Sequence, residues 1–314
     1  MRIESVELYN VKSFGQKLTI DFDYDSSIFS FSGRNGSGKS TILKSVYLIQ
    51  KAYFFKTGSE DDWREIDAEA RRFLNAEGSY IGIVLQEGED RSSLTLYRRA
   101  GIVELEEVGS ELVERYWNPD NPEGLILYID ASKGFSEETL RFNEINITEN
   151  TRGDLALEAV RRPEELFSGV YRQLVKDYVH GRLIPSKPDR LLYYRVASRM
   201  FSKLIPNIEL KNFSGKHKSG EFVLLGKANR DSRKPLYDVR EFSSGEKALL
   251  STLSFLCMSK SVSALIIDEP ENHFHESLLL EFMSLLHTLA GDGGILGWVN
   301  RQENEDGKGG LTKE

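Results

Sequence analysis

Three glycines, a lysine and a serine, closely spaced near the N-terminus, are the residues best suited to chemistry. The Gly-x-x-x-x-Gly-Lys-Ser spacing runs from Gly33 to Ser40, with a third glycine inside it. Glycines let backbone N–H groups approach a polyphosphate closely and adopt unusual φ angles. The lysine supplies positive charge to the β- and γ-phosphates, and the serine hydroxyl can ligate Mg²⁺. The pattern predicts a nucleotide-binding phosphate loop formed by Gly33, Arg34, Asn35, Gly36, Ser37, Gly38, Lys39, Ser40 and Thr41.

The sequence on either side of this loop indicates the elements that must hold it. Residues 27–31, with the sequence Ser-Ile-Phe-Ser-Phe, precede it and are typical of a short buried strand. Apolar residues then recur at helical spacing from Ile42 to Ile49, and a Thr-Gly pair at residues 57–58 ends the run. Strand, glycine loop and helix are the order that a phosphate loop requires, which weighs against a chance glycine-rich turn.

A second chemical group lies near the other end of the chain, where an apolar stretch ends in two acids. Residues 264–267 predict a buried strand, and Asp268 and Glu269 follow it directly. Beside a phosphate loop, Asp268 can hold the hydration shell of a Mg²⁺ ion that Ser40 ligates, and Glu269 can orient an attacking water as the catalytic residue. Two ordinary surface acids at a strand end are the alternative.

Composition restricts the classes of protein to consider. The 314 residues are 39% hydrophobic and 29% charged, which is typical of a soluble globular protein of one or two domains. Apolar stretches are too short for a membrane helix and no signal-peptide pattern is present, so no membrane partner is expected. Cys257 is the single cysteine, which excludes an internal disulfide and favours a reducing, cytoplasmic location.

The net charge of −8 argues against a surface that binds nucleic acid throughout. Residues 161–218 differ, with thirteen Lys or Arg against five Asp or Glu. This basic segment is either a solvated helical face or a patch for DNA phosphates or an acidic partner, to which Tyr193 and Tyr194 could add base stacking. The cations assigned to the patch are Arg172, Lys176, Arg182, Lys187, Arg190, Arg195 and Arg199.

Hydrophobic periodicity predicts an α/β chain. An antiparallel start to a sheet is expected within residues 1–32, with a turn at 10–15. Further strands are predicted at residues 80–86, 93–98, 102–108, 125–129, 208–213 and 222–225, in addition to the acidic strand. Helices are predicted over much of 136–204 and at 248–258 and 278–289.

Residues 242–246, with the sequence Phe-Ser-Ser-Gly-Glu, resemble the signature motif of ABC-type ATPases, with Ser244 where glycine is usual. Residues 8–14 and 268–275 are similar to motifs of the SMC/RecF branch, in particular of its compact OLD-like AAA-family relatives in bacterial anti-phage systems. The resemblance covers roughly residues 1–290 in order, and the combination of motifs makes it specific.

This resemblance implies a fold and its division. The fold would be an α/β P-loop NTPase, namely an ABC-type ATPase head with a mixed sheet, an antiparallel β lobe and an inserted helical region. The head would comprise residues 1–133 and 206–290, the inserted helical region 134–205, and an atypical polar tail 291–314.

The resemblance also implies a homodimer formed by an ATP sandwich. The signature of one head would contact the γ-phosphate that Lys39 of the other head holds, with Mg²⁺ present. A helix beginning near Glu246 would direct its positive end at that phosphate. Ser-x-x-Glu is also a capping box, and both roles can hold together. By the same resemblance Lys12 would lie near the nucleotide, unless it is a solvated turn lysine. The signature residues assigned to ATP are Ser243, Ser244, Gly245 and Glu246.

A glutamine that senses the metal usually ends a strand in this family. Gln86 is the preferred residue, as a metal-site member beside Ser40 and Asp268, and Gln50 is the alternative. The strand that ends at residues 128–130 would equally occupy that position without a glutamine.

The family's switch histidine is not found after residue 291, and His287 lies inside a predicted helix. The end of the chain is therefore expected to be truncated or altered, and hydrolysis to be slow. His273 and His275 have no evident third metal ligand and are expected at the contact between heads.

Three functions follow from these patterns. The leading hypothesis is an ATPase that dimerises on ATP and acts as motor or sensor of a DNA-directed or anti-phage complex. Since no nuclease motif is found, a separate effector subunit such as a nuclease is implied by analogy. The second hypothesis is a non-hydrolysing, ATP-dependent scaffold. A transporter ATPase is a third and weaker one, because residues 12–14 and 268–271 favour the SMC/RecF side.

Overall fold

The structure, a computed structural model, describes residues 1–56, 58–119, 123–129, 152–183, 192–214, 223–228, 236–258, 262–270 and 274–291. Two compact units are distinguished. The first comprises Met1–Ile129 with Ser261–Asp268, and the second comprises Asp130–Lys260 with Glu269–Glu314. The division into a head, an inserted region and a tail stays a prediction, and the tail beyond residue 291 lies outside the described residues.

Strands and helices of the described residues are numbered along the chain. The strands are β1 (Arg2–Tyr9), β2 (Leu18–Asp21), β3 (Tyr80–Glu87), β4 (Asp90–Arg99), β5 (Ile102–Val108), β6 (Leu125–Ile129), β7 (Ile208–Ser214), β8 (Val223–Ala228), β9 (Tyr237–Asp238) and β10 (Val262–Ile267). The α-helices are α1 (Lys39–Phe55), α2 (Glu60–Arg71), α3 (Glu111–Tyr116), α4 (Arg152–Arg161), α5 (Leu166–Leu183), α6 (Leu192–Leu204), α7 (Ser244–Met258) and α8 (Glu276–Gly291).

A five-stranded antiparallel sheet of spatial order β2-β1-β3-β4-β5 lies in the first unit. Buried and partly exposed residues alternate along β4, and its buried Leu94 lies opposite the buried Ile83 of β3. The predicted antiparallel strands, including the third at β5, are confirmed.

Helix α1 begins at Lys39, directly after the last glycine of the loop, as the sequence predicts. It is buried over most of its length, and the rings of Tyr53 and Phe54 pack on Trp117, which follows α3. Helix α2 starts with a capping box in which the Ser59 hydroxyl and the Asp62 carboxylate satisfy backbone N–H groups reciprocally. The packing of the later turns of α1 on Trp117 also holds the first turn of that helix in place.

Strands β6 and β10 form a parallel pair in the first unit. All five residues of β6 are buried, whereas those of β10 are half-buried, which corrects the expectation of a fully buried acidic strand. The Gln50 amide on α1 donates to the carbonyl of Ile126 at 2.8 Å and accepts from its N–H at 2.6 Å. A side chain therefore satisfies one edge of β6 where another strand would otherwise pair.

The strand predicted at residues 27–31 is not formed, and that prediction was wrong. Ile28 and Phe29 are 44% and 42% exposed. The rings of Phe29 and Phe31 pack edge-on against Phe22 and do not enter a sheet. A short apolar run has the same composition whether it pairs with a strand or only forms aromatic contacts, so its sequence could not separate the two.

In the second unit, α7 is buried over most of its length and packs against α5 and α6. Strands β7, β8 and β9 form an antiparallel sheet. The Tyr171 hydroxyl on α5 accepts from the N–H of Leu224 at 3.2 Å, and the Tyr194 hydroxyl on α6 donates to the carbonyl of Lys211 at 2.9 Å. The predicted helical character is confirmed in α4, α5 and α6, while residues 130–151 and 184–191 lie outside the described residues.

Candidate functional site

Backbone geometry explains why the loop requires its glycines. Gly36 and Gly38 have φ angles of 81° and 94°, in the left-handed region that other residues rarely adopt. A Cβ atom on Gly38 would lie 2.4 Å from Cζ of Phe14, and one on Gly33 would lie 2.9 Å from Oγ of Ser37. Side chains at these positions would therefore displace the loop from the shape in which its N–H groups can approach a phosphate.

Lys39 lies across the loop. Its Nζ donates to the carbonyl of Gly33 at 2.8 Å and to that of Arg34 at 3.3 Å. Residues 33–37, which include Asn35, are exposed, whereas Thr41 is buried in the first turn of α1. The loop predicted to bind phosphate is thus accessible and holds the lysine charge against itself.

Ser40 and Asp268, 228 positions apart, meet in the first unit. The Ser40 hydroxyl donates to Oδ1 of Asp268 at 2.9 Å. Asp268 lies one residue beyond β10, and its N–H donates to the carbonyl of Ile129 at the end of β6 at 3.0 Å. Asp268 as a whole is 2% exposed. The structure therefore brings together two of the three residues predicted for the metal site.

Tyr128, on β6, is a residue of this site that the sequence did not reveal. Its hydroxyl donates to Oδ2 of Asp268 at 3.0 Å, and its ring stacks on that of Tyr47 with centroids 5.2 Å apart. The only sequence signal was a hydroxyl-bearing residue in an otherwise aliphatic strand, Leu-Ile-Leu-Tyr-Ile.

Glu269, the predicted catalytic residue, is exposed and follows the buried Asp268 directly. Its φ of 49° is in the left-handed region, which costs a residue with a side chain about 1 kcal/mol. Such backbone strain is concentrated at functional sites in proteins.

Lys12 is held by its backbone in the first unit, with a φ of 46°. Its N–H donates to the carbonyl of Phe73 at 2.9 Å, and its Nζ lies 3.8 Å from the centroid of the Phe73 ring. Burial lowers the pKa of Lys12, and the charge of Lys44 lowers it further. Lys12 lines a cleft of about 390 Å³ with Lys44, Glu65 and Glu69, to which no residue of the phosphate loop contributes. Its role toward ATP stays a prediction.

Gln86 is not brought to the loop, which corrects its place in the metal site. Gln86 pairs with Arg2 at one end of β1. Tyr9 is the other end of β1, and the chain continues from there to Phe14, which lies beside the loop. Seven residues of strand separate those ends by roughly 23 Å. The Gln86 amide accepts from the Arg2 guanidinium at 2.7 Å, and the alternative, Gln50, is engaged on β6.

The signature-like residues lie at the start of α7, in the second unit. Ser243 is exposed, Ser244 is half-buried and Gly245 is buried. The N–H of Ser243 donates to the Glu246 carboxylate at 2.7 Å, and the N–H of Glu246 donates to the Ser243 hydroxyl at 3.3 Å. The predicted capping box is therefore confirmed, and it leaves the Ser243 side chain at the surface.

The basic segment is described in part. Arg195 and Arg199 are exposed one turn apart on α6, with Lys203 exposed a turn further on. Tyr194 is buried, so its predicted stacking on a nucleic-acid base was wrong. Arg172 lies 3.8 Å from Glu158 and Lys176 is half-buried. The side chains that lie outside the described part are those of Tyr193, Arg182, Lys187 and Arg190.

Histidine and acidic clusters do not add a further metal site among the described residues, where no group of three His, Cys, Asp or Glu is placed to hold an ion. His275 Nδ1 lies 3.0 Å from the Ser277 hydroxyl, and His287 is exposed on α8. His273 lies outside the described residues. Within the described ranges, no helix has the length and apolar character needed to cross a membrane.

A model of the AAA_21 family, described as "AAA domain, putative AbiEii toxin, Type IV TA system", matches residues 28–295. That range includes the glycine loop, the signature-like segment and the acid pair. No curated protein matches the sequence.

Solved structures resemble the chain in fold. The Smc head bound to the C-winged helix domain of ScpA is 20% identical, with a TM-score of 0.51, and the alignment covers 91% of this chain and 85% of that one. A Smc head domain with an extended coiled coil, bound to the C-terminal domain of ScpA and derived from Pyrococcus furiosus, is 19% identical, with a TM-score of 0.49 over 90% and 86% of the two chains. The SMC head domain from Thermotoga maritima is 15% identical, with a TM-score of 0.42 over 90% and 82%.

Proposed function

The chain belongs to the AAA_21 family and has the fold of an SMC-like P-loop ATPase head, and from this premise we propose that it binds ATP with Mg²⁺ and hydrolyses it. The predicted ABC/SMC-like resemblance and α/β fold class are confirmed, whereas the kinship with OLD-like ATPases stays a prediction. The observation that carries the proposal is the hydrogen bond from Ser40 to the buried Asp268.

The residues present fit a Mg²⁺–nucleotide complex. Mg²⁺ prefers oxygen ligands and keeps several waters, and Ser40 Oγ with the Asp268 carboxylate offers a hydroxyl ligand beside an acceptor for such waters. A bound Mg²⁺ would neutralise charge on the β- and γ-phosphates. The glycines at residues 36 and 38 supply the backbone freedom that a phosphate cradle needs.

Two further residues have roles that follow from their positions. Lys39 is bound to carbonyls of its own loop, and a phosphate would offer its ammonium group a stronger, charged acceptor. Glu269 is exposed next to the acid that supports the metal, where it can accept a proton from an attacking water.

Phosphate release from Mg²⁺-ATP by the purified protein tests the proposal. We expect turnover that stops in EDTA and is absent from Lys39→Ala. ATP binding without phosphate release above the Lys39→Ala background would favour the second candidate, a non-hydrolysing ATP-dependent scaffold. Absence of ATP binding would contradict both.

Dimerisation through an ATP sandwich is the next part of the proposal. Ser243 is exposed at the start of α7, where a helix N-terminus carries partial positive charge toward an anion. We propose that Ser243 and Gly245 of one copy meet the γ-phosphate bound by Lys39 of a second copy. The Glu246 carboxylate of the capping box would stay behind the serine and keep its backbone in place.

Ser243→Arg is expected to abolish the ATP-dependent increase in mass while leaving ATP binding intact, because a bulky cation would enter the opposing nucleotide site. Light scattering with and without ATP measures this. Ser59→Arg is the matched control, because it removes the N-cap residue of another capping box, at the start of α2. The Ser59→Arg protein should still dimerise on ATP. An unchanged ATP-dependent mass in Ser243→Arg would contradict the sandwich.

We further propose that the protein is the motor or sensor subunit of a DNA-directed or anti-phage defence complex whose effector, such as a nuclease, is a separate chain. The family's description and the motifs similar to the SMC/RecF branch support this. The neighbouring genes test it. A nuclease, reverse transcriptase or toxin gene would support the proposal, and genes for membrane transport proteins would favour the transporter alternative.

DNA is the proposed ligand of the basic face of α6, formed by Arg195, Arg199 and Lys203. The helix contains no acidic residue, and within the described ranges neither Arg195 nor Arg199 forms an ion pair. Residues four apart lie on one side of a helix, so the three charges form a row. If each of the three cations contacts one phosphate, raising the salt concentration from 50 to 200 mM should weaken DNA binding by about 40-fold.

Arg195→Glu with Arg199→Glu is expected to abolish DNA binding and to leave ATP affinity unchanged. Arg195→Lys with Arg199→Lys keeps the charge and should preserve binding and its salt dependence. Fluorescence anisotropy with a labelled oligonucleotide at several salt concentrations measures both. A parental protein that shows no salt-sensitive DNA binding, with or without ATP, would exclude DNA and leave an acidic protein as the partner to test.

A further inference from the structure

The Asp268 carboxylate is held by two donors from different elements. Ser40, at the start of α1, donates to Oδ1 at 2.9 Å, and Tyr128, on β6, donates to Oδ2 at 3.0 Å. Because Asp268 is 2% exposed, its oxygens depend on such partners in place of bulk water. The orientation of the carboxylate is therefore set by a tyrosine as well as by the loop serine.

Tyr128 is fixed by the same helix that carries the loop serine. Tyr128 is 1% exposed, its ring stacks on Tyr47 with an interplanar angle of 29°, and Nζ of Lys44 lies 6.0 Å from the centroid of the Tyr128 ring. Ser40, Lys44 and Tyr47 are spaced by four and three residues and so share one face of α1. That face presents Ser40 to the carboxylate of Asp268 and Tyr47 to the tyrosine that holds it.

Strand register places the tyrosine beside the acid. Tyr128 lies opposite Ile266 and Ile129 lies opposite Ile267 in the parallel pair. The N–H of Asp268 continues this pairing by donating to the carbonyl of Ile129 at 3.0 Å. A shift of one residue would move the tyrosine side chain to the other face of the sheet, so the contact depends on the register of the whole pair.

We propose that Tyr128 is a positioning residue of the metal site: its hydroxyl holds the Asp268 carboxylate with Oδ1 directed at Ser40, and so sets the affinity of the site for a divalent cation. The inference rests on the proposed function, in which Ser40 and Asp268 serve a metal–nucleotide complex. Partners that orient a metal-supporting carboxylate typically change metal affinity by about 10- to 100-fold. If the hydrogen bond from Tyr128 to Asp268 were purely structural, loss of the hydroxyl would change folding stability and not metal affinity.

Tyr128→Phe removes one hydroxyl and leaves the ring to stack on Tyr47. With a non-hydrolysable ATP analogue bound, we expect Mn²⁺ affinity, measured by electron paramagnetic resonance, to fall about 10-fold. Affinity for the analogue in EDTA should not change. Tyr53→Phe is the matched control, because Tyr53 is also a buried tyrosine but lies on α1. This variant should keep the parental Mn²⁺ affinity.

The outcomes separate this inference from the proposed function. Equal Mn²⁺ affinity in Tyr128→Phe and the parental protein, both with the analogue bound, would overturn the inference and leave the proposed function standing. A lower melting temperature with unchanged Mn²⁺ affinity would also overturn it, since a purely structural hydroxyl gives that result. A parental protein that binds no analogue would contradict the proposed function itself.

Discussion

Glu269→Gln is expected to bind ATP like the parental protein and to release phosphate at least 100-fold more slowly. Glu269 is exposed immediately after the buried Asp268. A carboxylate that accepts a proton from an attacking water contributes about 10²- to 10⁴-fold to a rate, and an amide of the same size cannot accept it. Phosphate release under single-turnover conditions, together with equilibrium ATP binding on the same sample, measures both properties.

The Glu269→Gln substitution should change the chemistry of the side chain without changing the backbone at this position. Glutamine and glutamate tolerate the φ of 49° equally, because their side chains are alike near the backbone. Glu276→Gln, at the exposed start of α8, is the control and should keep the parental rate. We also expect ATP to hold Glu269→Gln in the dimer that hydrolysis would otherwise release. Phosphate release at the parental rate by Glu269→Gln would show that another group serves the water.

Lys39→Ala is expected to lower ATP affinity by about 100-fold. The ammonium group donates to carbonyls of Gly33 and Arg34, within the loop itself, so it is close to any phosphate bound there. A hydrogen bond to a charged group contributes about 1.5 to 3 kcal/mol, and a lysine can donate to more than one phosphate oxygen. Titration with a fluorescent ATP analogue measures the loss.

Lys56→Ala separates loss of this contact from loss of charge in general. Lys56 follows α1 at its far end, roughly 25 Å from Lys39, and its Nζ pairs with Glu107. This variant should bind ATP like the parental protein. Equal affinity in Lys39→Ala and the parental protein would mean that nucleotide binds away from the glycine loop.

The sequence predicted best those features that depend on local geometry. The spacing of the three loop glycines could be interpreted because Gly36 and Gly38 adopt φ angles that other residues rarely adopt, and because a side chain at Gly33 or Gly38 would meet a neighbouring side chain. The antiparallel strands and α1 were predicted because side-chain alternation and helical spacing are properties of short segments. The Ser243 capping box was predicted for the same reason.

Features that depend on distant parts of the chain could not be predicted in this way. Tyr128 meets Asp268 only through the parallel pairing of β6 with β10, and no local pattern encodes that register. Gln86 was placed at the metal because it ends a strand, but antiparallel pairing puts that end beside Arg2. Tyr194 looked available for stacking, yet packing of α6 buries it and directs its hydroxyl to Lys211.

A crystal structure with a non-hydrolysable ATP analogue and Mg²⁺ tests the central claim most directly. We predict the phosphates in the loop of residues 33–41, Mg²⁺ on Oγ of Ser40, and Asp268 in contact with a water of the ion. We also predict that Nζ of Lys39 leaves the carbonyl of Gly33, where it now lies at 2.8 Å, and binds the phosphates. An analogue bound elsewhere, with Lys39 still on Gly33 and no ion at Ser40, would contradict the claim.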